Sequence, residues 1–107
     1  MIQRLAQLIH RSLQPRRKKV KTATLKDLQV IRAAMNSCME DCEGLQAQRL
    51  QLKIAAAKTA QDLWMLRNDA YQLISQQHSQ SEAVSRINHL IEAFEGWVDP
   101  RQLVKIR

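Results

Sequence analysis

Residues 25–77 read LKDLQVIRAAMNSCMEDCEGLQAQRLQLKIAAAKTAQDLWMLRNDAYQLISQQ, and their periodicity decides the fold class. Laid on a seven-residue repeat, one core position runs Leu28, Met35, Cys42, Arg49, Ala56, Leu63, Ala70. The other runs Ile31, Cys38, Leu45, Leu52, Thr59, Leu66, Leu73. Apolar residues at this spacing return to one face of an α-helix, whereas a half-buried strand would alternate every second residue. A tight turn between helices normally inserts residues that reset the register. The unbroken phase therefore predicts one helix over about residues 25–77, on the order of 80 Å long at 1.5 Å per residue. A three-helix bundle bent at Gly44 is the alternative, because glycine on an outward helical position costs only about 1 kcal/mol and settles nothing. The seam is weakest from Arg49 to Ala60, where Arg49, Thr59 and four alanines supply little apolar area. A bend, a waist or a binding notch is expected there.

On the amino-terminal side, Thr24 offers a side-chain oxygen to cap this region, and Asp27 stands three residues on, where an acid favours the positive helix end. Before it lies a basic linker, residues 16–23, and before that Pro15 closes an amphipathic helix over residues 2–13. Ile2, Leu5, Ile9 and Leu13 form the apolar side of that helix, a face suited to a membrane surface or to docking on the body. On the carboxyl-terminal side the pattern breaks at residues 78–81. Ser79 and Glu82 then make a capping box for a last helix from about residue 80, with Val84, Ile87, Leu90, Ile91 and Phe94 as its apolar face. Gly96 is placed to end it with a positive φ. Trp97 and Val98 form an apolar landing before Asp99 and Pro100 turn the chain. The organisation expected is thus helix and basic linker over 1–23, a helical coiled-coil or bundle domain over 24–98, and a basic tail over 99–107.

Composition agrees with an all-α domain. Only two glycines and two prolines occur in 107 residues, too few for the turns of a sandwich or barrel, and 45% hydrophobic with 25% charged residues excludes wholesale disorder. The formal charge of +7 is unevenly placed, because eight Lys and Arg precede the first acidic residue, Asp27, while the rest of the chain nearly balances. Such clustering points to a polyanion: nucleic acid, an anionic membrane surface or an acidic protein face. The residues expected to contact it are Arg16, Arg17, Lys18, Lys19 and Lys21. No aromatic residue is interleaved with them and no base-reading motif follows, so binding to nucleic acid would be non-specific. No apolar run approaches the 18 residues of a membrane span, and the amino-terminal stretch lacks the apolar core of a secretory signal, although it shares the acid-free, Arg-rich character of an organellar transit peptide. A cytoplasmic location with peripheral membrane association as an option is expected.

Motifs that carry chemistry are few. Cys38 and Cys42 are one helical turn apart, but a structural zinc site takes four ligands and nothing adjacent completes the set, so both read as small buried hydrophobes or as an inter-chain disulfide. His10, His78 and His89 lack the spacing of a helical metal pair. Asp62 and Asp69 read as a solvated face. No nucleophile elbow, glycine-rich phosphate loop or His-Glu-x-x-His stretch occurs. Catalytic, cofactor and metal residues are therefore not expected. Trp64, Tyr71 and Ile74 widen the apolar stripe beside Leu63, Leu66 and Leu73, which together form a face for a partner or for a packed helix. The function expected is a non-catalytic helical interaction protein, self-associating or partner-binding, of the adaptor, assembly-factor or secretion-chaperone kind. A dimeric nucleic-acid-binding accessory protein is the alternative.

Overall fold

The computed structural model describes residues 20–106, which hold five α-helices and one short 3-10 turn, with no strand among them. Helix α1 (Leu25–Cys38) starts where a complete capping box forms. The Thr24 hydroxyl accepts from the Asp27 amide at 3.2 Å, and the Asp27 carboxylate accepts from the Thr24 amide at 2.9 Å. Leu28, Ile31 and Met35 are its buried row. Residues 39–44 then form a turn, and the chain leaves it through Gly44 at φ +97° and ψ −178°, a conformation that residues with a Cβ avoid.

Helix α2 (Leu45–Ala56) follows and buries Ala47, Leu50 and Ile54. Arg32 of α1 reaches across to its end, donating from Nε to the Ile54 carbonyl at 3.2 Å and from its terminal nitrogen to the Ala57 carbonyl. The Ile54 carbonyl also accepts from the Ala57 amide at 3.3 Å, so the guanidinium adds a second donor there and supplies one to the Ala57 carbonyl just beyond the helix end. Thr59 caps the short α3 (Ala60–Met65) through the Asp62 amide at 3.0 Å, and Leu66 bends the chain into α4 (Arg67–Gln77). The connection His78–Ser79 reverses it into α5 (Gln80–Phe94), which packs along α4 on one side and α1 on the other.

The single helix over 25–77 is thus replaced by four, separated at residues 39–44, 57–59 and 66. The reason is visible in the burial pattern. The expected seam holds through Met35, but Leu45 and Leu52 stand 61% and 71% exposed while Ala47, Leu50 and Ile54 face the core. The turn at 39–44 rotates α2, and the heptad register across it is a coincidence of spacing. Arg49, Ala56 and Thr59, assigned to the seam, are likewise exposed.

Trp64, Phe94, Leu63, Ile74 and Ile87 are fully enclosed at the centre. The Trp64 and Phe94 rings meet edge to face with centroids 4.9 Å apart, a favoured arrangement of their quadrupoles. Arg67 lies 4.2 Å above the Trp64 ring and donates to the Trp64 carbonyl. Gly96 at φ +89° follows α5, Val98 inserts into the core, and Asp99 caps the 3-10 turn Pro100–Gln102. The following segment is held by Asn88, whose side chain exchanges bonds of 2.9 and 2.7 Å with the Ile106 backbone. Among the described residues no helix is long and apolar enough to cross a membrane.

Candidate functional site

Among the described residues, a cluster of bonded polar side chains lies where the 39–44 turn meets the α4–α5 reversal. Arg86, from the second turn of α5, is its hub. Its guanidinium donates to both carboxylate oxygens of Asp41, at 2.7 and 2.9 Å, and to the Cys38 carbonyl at 3.2 Å, while Nε donates to Glu82 at 2.8 Å. Such a bidentate pair fixes the plane of the carboxylate. The hydrogen bonds from Arg86 hold the Asp41 carboxyl well below its ordinary range, at about 2, so it is ionised at neutral pH. Glu82 spends its side chain on Arg86, which explains why only the Ser79 half of the expected capping box forms.

His78, the residue at which α4 ends, places Nε2 3.2 Å from Asp41 Oδ1. Gln77 beside it accepts from the Glu43 amide at 2.8 Å and donates to the Glu43 carbonyl at 2.6 Å, clipping the turn to the end of α4. Cys42 Sγ approaches the same Asp41 oxygen at 4.0 Å and is nearly enclosed. Burial pushes the Cys38 thiol up to about 11 and raises that of Cys42 as well, so both are protonated at neutral pH and neither is an activated nucleophile. Asp41, Cys42 and His78 together bring three metal-ligating atom types within 4.8 Å of one another. From Arg86 an open groove of about 920 Å³ runs between α1 and α5, bordered by Ala34, His89, Glu92 and Lys105.

The residues singled out in the sequence are distributed otherwise. Leu63, Trp64, Leu73 and Ile74 are buried and Leu66 and Tyr71 are half-buried, so this row is used in packing within the chain. Asp62 and Asp69 do not form a pair: Asp62 follows the Thr59 cap, and Asp69 faces Lys53 at 3.6 Å. Lys21 is exposed, and its backbone amide donates to the Gly96 carbonyl at 3.0 Å. Arg16, Arg17, Lys18 and Lys19, together with Ile2, Leu5, Ile9 and Leu13, lie outside the described residues. His78 and Arg86 were not recognised from the sequence, because Arg86 stands 45 residues from Asp41 and only the folding of α5 against α1 joins them.

Comparison with known proteins yields no match at the level of a family, a curated protein or a solved structure.

Proposed function

We propose that this chain is a non-catalytic helical interaction protein whose basic amino-terminal arm engages a polyanion. The observation that carries this reading is the clustering of eight Lys and Arg before the first acidic residue, Asp27. Of the expected contact residues Lys21 is exposed, with its amide bonded to the Gly96 carbonyl. Arg101 adds little, since Asp99 holds it at 2.8 Å. Positive charge collected in one region attracts an anionic partner more strongly than the same charge spread over the surface.

A helical partner finds its contact on the outer side of α2 rather than on the Trp64 face. Leu45 and Leu52, seven residues apart, share one side of that helix and are exposed to solvent. Burying such a pair against a second helix would contribute a few kcal/mol, at about 25 cal/mol per Å² of apolar surface.

The test is binding of the full chain to a labelled random DNA duplex and to phosphatidylserine vesicles across a salt series. The comparison is a variant with Arg16, Arg17, Lys18 and Lys19 changed to Ala. The reading expects binding to one or both that weakens steeply with salt, with a slope on duplex near −4, about −0.9 for each phosphate contact. The variant should lose it. Binding to neither polyanion near physiological ionic strength, or binding that survives in the variant, removes the arm from the function.

A further inference from the structure

We propose that Asp41, Cys42 and His78 form a site for a zinc-type divalent transition-metal ion, with the remaining coordination position filled by water. The donors are a carboxylate oxygen, a sulfur and an imidazole nitrogen. His78 Nε2 is 3.2 Å and Cys42 Sγ 4.0 Å from Asp41 Oδ1, and no pair of the three is more than 4.8 Å apart. A tetrahedral ion at about 2.0–2.3 Å from each donor separates them by roughly 3.3–3.7 Å. Closing the set therefore takes a side-chain adjustment of no more than about 1 Å.

The surroundings favour such a site in two further ways. First, the ligands are held before any ion arrives: Gln77 ties the turn carrying Cys42 to the end of α4 carrying His78, and Arg86 orients the Asp41 carboxylate. Partners of this kind fix first-coordination ligands and raise affinity. Second, the charge closes. When the ion binds, the Cys42 thiol gives its proton to solvent, so thiolate and carboxylate match the double positive charge, while Glu82 offsets Arg86. Mixed sulfur, nitrogen and oxygen donors select zinc or cobalt over magnesium or calcium, which take oxygen ligands. The two cysteines alone did not indicate this site, since the third donor comes from the far end of α4. The inference is independent of the arm and its polyanion.

Titration of the reduced, metal-free full chain with Co²⁺ tests the assignment. The expected result is a near-ultraviolet thiolate-to-cobalt absorption that saturates at one equivalent, is displaced by Zn²⁺, and is lost in Cys42→Ser and in His78→Ala. Cys38→Ser should keep it. Zn²⁺ should also raise the thermal midpoint of the wild-type chain but not of Cys42→Ser, with far-ultraviolet circular dichroism of the metal-free variants establishing that each is folded. Absence of the absorption in the folded wild-type chain would overturn the proposal. So would its persistence in both ligand variants, or its loss in Cys38→Ser.

Discussion

Replacing Gly44 by Ala separates the observed fold from a continuous helix by the sign of the effect. At φ +97° and ψ −178° the backbone of Gly44 lies in a region open almost only to glycine, and forcing a Cβ-bearing residue into it costs about 1–3 kcal/mol. A Cβ built there meets nothing within 4 Å, so the penalty is conformational and not a collision. The unfolded chain of the Ala variant is less free, which returns about 0.4–1 kcal/mol. The net expectation is a loss on the order of 1–2 kcal/mol. For a domain of this size that corresponds to a midpoint roughly 5–15 °C lower. In a helix running unbroken through residue 44 the same substitution would instead stabilise by about 1 kcal/mol, the ordinary difference between Gly and Ala in a helix interior. Urea unfolding followed by circular dichroism, with the slope checked for constancy, measures the difference directly. Gly96, at φ +89° and equally unobstructed, is the companion: Gly96→Ala should also destabilise. A higher midpoint in Gly44→Ala would refute the turn at 39–44.

Two other expectations concern the helix ends. Arg32→Met keeps the aliphatic stem but removes the donors to the Ile54 and Ala57 carbonyls, and should cost about 1–3 kcal/mol by urea unfolding; an unchanged midpoint would show that water replaces the guanidinium at no cost. The Asp27 carboxyl is held below its ordinary value of 3.8, chiefly by the hydrogen bond from the Thr24 backbone. A carboxyl with a lowered folded-state pKa contributes its stability above the unfolded value and loses it as pH falls through the folded one. The stability difference between wild type and Asp27→Asn should therefore be present at neutral pH and shrink below about pH 4; a difference constant down to about pH 3 would remove the capping carboxylate from the account.

What could be read from the sequence was local. Thr24 with Asp27, the start of α5 after Ser79, the apolar face of that helix and the positive φ of Gly96 each depend on a few neighbouring residues. The break before α3 falls in the weak stretch Arg49–Ala60, where a bend is one of the expectations; its capping signal, Thr59 three residues before Asp62 as Thr24 is before Asp27, is overridden by the heptad register. That register misled for a physical reason. Cys42 falls on the seam and is buried, yet it is buried from a turn and not from a helix. Leu45 and Leu52 then continue the count while facing solvent. The candidate site was hidden for the opposite reason, because its members come from the 39–44 turn, the end of α4 and α5. Periodicity carries no information on which turns meet.

The placement of α1 against α5 also sets a timing for synthesis. α4 and α5 are joined by two residues and can pair as soon as both have emerged, but α1 packs on α5, which begins at Gln80, as well as on the earlier α2 and α3. At about 5–20 residues per second, the ribosome needs several seconds to deliver α5 after α1 has left the exit tunnel. For that interval α1, next to the most basic part of the chain, has only the nearer helices α2 and α3 to cover its apolar row, which is more exposed in the nascent chain than after α5 closes over it.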